Sequence, residues 1–194
     1  AGERVVRVQH GSQYGTAEVF NIGWMNEFVN AGFLTWGWTG QSDFPGRFLP
    51  VSAPLLAGLR NAHRQQSSSI LLIGTAASLV PFRIVSALKP SIMDRYVADK
   101  AAFANALSPE VAGNLMYRPY RRGQMDLSDV RWLEYLDDPP DIHTGPLTSD
   151  LLRCRLAVID HPGTTMNITL AANTPTVCFW NPELVAYCDQ AQPF

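Results

Sequence analysis

Cysteine is scarce and unpatterned in these 194 residues: Cys154, Cys178 and Cys188 share no CxxC spacing and, being three, cannot all pair internally. That argues against a disulfide frame or a zinc site and for reduced, cytosolic thiols. Neither GxxxxGK[ST] nor GxGxxG occurs, which disfavours a P-loop nucleotidase and a nicotinamide dehydrogenase. No HExxH or carboxylate motif joins the scattered His10, His63, His143 and His161, so no tightly bound metal is expected. GxSxG is missing too, which leaves Ser12 outside a nucleophile elbow. Charge is thin. At 16% charged residues and a net charge of -2, nothing global calls for nucleic acid or an anionic membrane as the main partner. The longest apolar stretch, residues 70–82, is too short to cross a bilayer and contains Pro81 just before Arg83.

What is present describes an ordered, soluble protein, with 46% hydrophobic residues and length enough for one full domain, or a domain and part of another. Ala1 leads within a few residues into Val5-Val6-Arg7-Val8, with no secretory leader pattern. The start lacks an initiator Met and the end, DQAQPF, carries no helix stop signal. The expectation is therefore a piece of a longer protein.

Residues 4–9 read as a buried strand, 17–31 as a helix, 33–36 as a short strand and 37–50 as Gly- and Pro-rich loop. The polar run QQSSS, residues 65–69, reads as a linker. Beyond it the rhythm is regular. SILLIG is a continuous apolar run of strand length, suited to a parallel strand covered on both faces. Residues 92–107 place Ile92, Tyr96, Ala102, Phe103 and Leu107 on one helical side. A strand NLMYRPY, a helix over 127–136, a short strand PDIHTG, a capped helix LTSDLLRCR, a strand LAVID, a helix TTMNITLAAN and a strand PTVCFW follow. Strands alternating with helices predict an α/β, Rossmann-like parallel sheet flanked by helices. The expected division is residues 1–66 as the end of one domain and 67–194 as a second, Rossmann-like one.

Ligands of such sheets sit beyond the carboxyl ends of the strands. After Ile159-Asp160 come His161, Pro162, Gly163, Thr164 and Thr165. Gly163 lets backbone approach a ligand closely, and the Thr hydroxyls either cap the helix or donate to an oxyanion. The helix amino end itself favours phosphate. His161 would add a donor or a positive charge, although His-Pro is also an ordinary turn. Arg118, at a strand end with Arg121 and Arg122 beyond, is either a phosphate clamp or a loop arginine paired with Asp126 or Asp129. Arg83 is a weaker candidate of the same kind. In VQHGSQYG, His10 stands where a strand opens into a loop, as a cleft residue or a hydrogen-bonded structural one. Trp36 and Trp38 read first as packing residues. Asp137, Asp138 and Asp141, beside Pro139-Pro140, read as a solvated turn. Glu183, after FWNP, either accepts from ribose hydroxyls or answers a helix dipole with Pro182 at the first helical position.

VQHGSQYG, FLTWGW, ILLIGTAASLVPFRIVS, YRPYRRG…VRWLEY and GTTMNITLAANTPTVCFWNPE, in that order, resemble a family of bacterial surface-carbohydrate transferases of lipopolysaccharide or capsule biosynthesis. Those proteins look like glycosyltransferases of the GT-B type. The resemblance covers nearly the whole chain, and residues 164–183 are its most specific part. It implies a metal-independent, two-domain transferase with the cleft between its domains. Residues 67–194 would be the C-terminal half, binding a nucleotide-sugar, and residues 1–66 the end of the acceptor-side domain. The acceptor would be a glycan or glycolipid; no separate cofactor and no nucleic acid is implied. The place implied is the cytoplasm, with peripheral association at the inner face of the membrane an open expectation for the complete protein. On the hypothesis of such a transfer, 163–165, Arg118 and Arg83 would hold the donor phosphate, His161 and His10 would serve catalysis, and Glu183 would hold the ribose. The general base would lie in a missing N-terminal part, so the fragment alone is expected to be inactive. The family's phosphate loop usually reads Tyr-Asn-x-Thr-Thr; here Asp160-His161-Pro162-Gly163 precedes the threonine pair, a departure. His-Pro there looks like the nucleotide-phosphate motif of bacterial sialyl- and Kdo-transferases, which use CMP-sugars and so make a CMP-linked donor an option. A nucleotide-sugar 2-epimerase and a non-catalytic Rossmann-like nucleotide-binding module are the alternatives. The epimerase would need a pair of carboxylates in the cleft, which the sequence does not display.

Overall fold

Among the described residues every strand pairing is parallel, and the strands form two sheets. The computed structural model describes residues 4–11, 13–17, 23–39, 45–75, 92–120, 131–183 and 188. In the first sheet β1 (Val6–Val8), β2 (Gly32–Thr35) and β3 (Arg47–Pro50) lie side by side in chain order. β3 corrects the expectation of loop over 37–50. Its entry is where the glycine is needed: a Cβ on Gly46 would come within 2.6 Å of the Phe28 and Asn30 carbonyls. β1 corrects a second expectation. It is an edge strand with Val5, Val6 and Val8 exposed rather than buried, because an apolar run reports β tendency but not what covers it.

The core of this sheet is aromatic. Phe28 meets Phe33 edge-on at 4.9 Å between ring centres and Tyr14 stacks on Phe33 at 5.3 Å. Trp38 packs into the same cluster and donates its indole N–H to buried Gln9 at 2.8 Å, so the packing reading of Trp38 holds. Gly15, at φ +73, lies where a side chain would collide with the Trp38 ring. Of the helix expected over 17–31, residues 18–22 lie outside the described residues, and the stretch after them is helical only over a single π turn, Gly23–Glu27.

The second sheet has the order β6-β5-β4-β7-β8, with β4 (Ile70–Ile73) at its centre, β5 (Leu115–Arg118) and β6 (Asp141–Ile142) to one side, and β7 (Leu156–Ile159) and β8 (Thr176–Cys178) to the other. All four residues of β4 are buried. Ile70 and Leu72 face α2 (Met93–Asn105) and a 3-10 turn, Arg131–Tyr135; Leu71 and Ile73 face α4 (Leu147–Arg153) and α5 (Thr164–Ala172). Burial on both faces is why the run reads as uninterrupted apolar sequence, each such side chain contributing about 1.5–3 kcal/mol. The helix expected over 127–136 is represented, from 131 on, by the 3-10 turn.

Two short helices, α1 (Pro54–Ala57) and α3 (Pro109–Ala112), each begin with a proline at the first turn. After α1 the chain runs across the carboxyl ends of α4 and α5. Asn61 and His63 donate backbone N–H groups to Ala171 and Ala172, Arg64 to Leu152, and Gln66 and Ser67 to Arg153. Residues 61–67, which run into the stretch that reads as a polar linker, thus satisfy helix-end carbonyls that would otherwise lack partners. Leu56 and Leu59 pack on the core beneath. Among the described residues, no helix is long and apolar enough to cross a membrane.

Candidate active site at the end of β7

The second sheet reverses its strand order between β4 and β7, and in parallel sheets the crevice at such a reversal receives ligands. The chain leaves β7 through Asp160, His161, Pro162 and Gly163 and enters α5 at Thr164. Gly163 is the helix cap, in extended backbone, and no side chain caps the helix. Of the two readings of the threonine hydroxyls, this removes the cap: Thr164 and Thr165 already belong to the first turn. The amino end of α5 therefore presents backbone N–H groups that no cap side chain satisfies, the condition under which a helix end accepts an anion.

The glycine makes room for a side chain of its own loop. A Cβ on Gly163 would lie 2.8 Å from His161 Nε2 and 2.9 Å from Cδ2, so it is the imidazole that glycine admits here. His161 Nδ1 is 3.0 Å from Asp160 Oδ1. On its other oxygen Asp160 meets the Lys100 ammonium at 2.8 Å and receives the Tyr96 hydroxyl at 2.6 Å. Lys100 is itself enclosed, with its nitrogen 4.5, 5.0 and 5.6 Å from the ring centres of Tyr96, Tyr117 and Trp132. Asp160 and Lys100 side chains are each only 1% exposed. Burial alone would push the Asp160 carboxyl up, but the Lys100 charge and the hydrogen bonds from His161 and Lys100 outweigh it and hold the group below the ordinary carboxylate value.

Neither Lys100 nor the role of Asp160 was singled out from sequence. A signal existed: Met93, Tyr96, Val97, Lys100 and Ala101 form the buried stripe of α2, so a lysine stands at a core position of the heptad-like spacing.

Across the crevice stands the end of the first sheet. A Cβ on Gly11, just past β1, would lie 3.5 Å from Thr164 Oγ1. Beside it, His10 Nε2 is 2.6 Å from the Tyr14 hydroxyl and 3.5 Å from Glu27 Oε1, while most of the ring is exposed. Burial and Glu27 push the Tyr14 hydroxyl far up. Cys188 returns to this unit, its N–H on the Thr16 carbonyl at 2.9 Å.

The remaining sequence candidates go elsewhere. Arg118 and the Ile159 that precedes Asp160 flank β4, whose Ile73 pairs with both, which puts them two strand spacings or about 10 Å apart. The Arg118 guanidinium donates to the Gly145 carbonyl and lies 4.0 Å from Asp150, which also holds His143 at 2.9 Å. Glu183 makes an exposed ion pair with Arg95 at 2.6 Å. Arg83, Arg121, Arg122, Asp126, Asp129 and Ser12 lie outside the described residues. Among the described residues no group of three or more His, Cys, Asp or Glu side chains could hold a metal ion.

A family profile described as the LIC12162 family transferase matches residues 1–194, the full length of the chain. No curated protein and no solved structure matches it.

Proposed function

The chain belongs to the LIC12162 family of transferases, and on that premise we propose that it moves a sugar from a nucleotide-sugar donor to a precursor of surface polysaccharide or lipopolysaccharide. The observation that carries this reading is the amino end of α5: no side chain caps it, His161 packs against Gly163 in the loop that enters it, and Gly11, just past β1 of the other sheet, faces it. In this reading the crevice between the two sheets is a GT-B type cleft. Phosphate of the donor would rest on the N–H groups of 163–165 and the hydroxyls of Thr164 and Thr165, with Nε2 of His161 beside them.

As the bond from the anomeric carbon to phosphate breaks, negative charge grows on the leaving phosphate, and fixed dipoles aimed at it lower the barrier. No step requires a metal. His10, beside Tyr14 and Glu27, would stand at the cleft near donor or acceptor. Glu183, paired with Arg95 through Oε2, would offer its other oxygen to the ribose. The epimerase alternative is weaker, since Asp160, adjacent in sequence to His161, is buried and neutralised by Lys100. The work would take place in the cytoplasm at the inner membrane face, where such acceptors are assembled.

Calorimetric titration of CMP-, UDP- and GDP-sugars into the complete protein tests the proposal, with Thr165→Ala as the comparison. Saturable binding that weakens in the variant, with nucleotide release on adding acceptor, is the expected result. No saturable binding of any of them at millimolar ligand removes it.

A further inference from the structure

A buried ion pair is a poor device for stability, because desolvating two charges cancels most of their attraction. The Lys100–Asp160 pair, each side chain 1% exposed, therefore invites a question about what else it does. Its geometry divides the carboxylate in two. Oδ2 receives Lys100 and Tyr96, both from α2, while Oδ1 is left to His161 Nδ1 at 3.0 Å. The imidazole then lies with Nε2 against Gly163, at the amino end of α5.

We propose that Asp160 is a positioning residue for His161: pinned by Lys100 and Tyr96, it accepts the Nδ1 proton as a hydrogen bond and turns Nε2 toward the phosphate-bearing ligand of the α5 amino end. The ligand half of that statement rests on the function proposed above; the ring half does not.

Each part is necessary for the next. Without a cation beside it, a carboxyl so buried would take up a proton and become a donor, and it could then no longer fix the ring through Nδ1–H. Lys100 keeps it an acceptor. Tyr96 adds a second bond on the same oxygen and prevents rotation of the carboxylate, and its hydroxyl also lies 3.4 Å from the Thr75 N–H in the loop after β4. The two sides of the switch point are thus tied to one imidazole. A ring held this way offers Nε2 as a lone pair when neutral and as a charged donor when protonated, and a phosphate oxygen selects the second form.

The ring can be read directly. Long-range 1H–15N correlation spectra of the full chain, free of nucleotide and with His161 assigned through His161→Gln, should show the neutral ring protonated on Nδ1. A wild-type ring protonated on Nε2 overturns the proposal without any variant. Asp160→Asn should shift the ring toward the Nε2–H form and weaken CMP or UDP binding about 10–100-fold, as outer partners of functional histidines do at metal sites. An unchanged tautomer in a folded Asp160→Asn overturns it as well. If that variant does not fold, Tyr96→Phe, which keeps the volume, should still loosen the ring and broaden the preference; a ring unaltered in Tyr96→Phe then counts against the proposal. An Nδ1–H ring in a protein that binds no nucleotide retires the transferase site and leaves the positioning role standing; nucleotide binding with the opposite tautomer does the reverse.

Discussion

Gly11, one residue beyond His10, stands against Thr164 in the first turn of α5, with 3.5 Å between a Cβ built on the glycine and the threonine hydroxyl. The ends of the two sheets meet at that point, so its size governs access to the helix end. An alanine would sit in ordinary van der Waals contact. Gly11→Ala is expected to change stability by no more than about 0.5 kcal/mol and to leave nucleotide affinity alone. Gly11→Phe should fill the crevice and lower affinity by about tenfold or more at nearly unchanged melting temperature. Equal affinity in both variants would place the ligand elsewhere.

Gly163 and His161 make a tighter pair. The backbone at Gly163 is extended, which any residue adopts, so its demand for glycine is one of space: a methyl group would press into the imidazole at 2.8 Å. Gly163→Ala should displace the ring at a cost of about 1–2 kcal/mol, while the α5 N–H groups stay in place. Calorimetry should show nucleotide affinity falling about tenfold, with the loss abolished when His161→Gln is already present. Additive losses would show that the glycine serves the ligand and not the ring.

Much of the second sheet was legible because its physics is local. Ile70–Ile73 is apolar throughout since both faces are covered, and the turn chemistry of 160–163 marks where β7 gives way to α5. The first sheet was harder. β1 has the composition of a buried strand and is an exposed edge, and β3 hides in a stretch whose glycines and prolines suggest loop. At the end of β7, the turn was readable and the partners of its side chains were not. Arg118 does end a strand, β5, but nothing in its neighbours in sequence says that its guanidinium turns to Gly145 and Asp150. Lys100 and Asp160 are sixty residues apart, and only the adjacency of β4 and β7 brings α2 over the end of β7.

Two of the three thiols differ in a way that chemistry can report. Cys154 is buried behind α4, and burial, with help from the Asp150 charge, pushes its thiol up to about 11. Cys178 is exposed. Alkylation of the native protein near pH 8, followed by mass spectrometry, should modify Cys178 while Cys154 reacts only after denaturant is added, since the thiolate is the reactive form. Early labelling of Cys154 would mean that the segment crossing α4 opens readily.

The Lys100–Asp160 pair sets an acid limit whose sign can be reversed. In the wild type the Asp160 carboxyl is held below its ordinary value. Its contribution is therefore complete above about pH 4 and is lost as the pH falls from there through the lower folded value. Lys100→Met removes the cation but leaves the burial, which by itself raises the carboxyl. The favourable contribution of that raised group then exists below the ordinary value and disappears as the pH rises through the folded one. The deficit of Lys100→Met against wild type should thus be small near pH 3 and reach about 3–5 kcal/mol by neutrality. Adding Asp160→Asn should restore much of the neutral-pH loss, because no uncompensated charge remains in the interior. Urea unfolding midpoints of the three proteins from pH 3 to 7 measure this, and a deficit that does not vary with pH would show that the carboxylate is not held by Lys100.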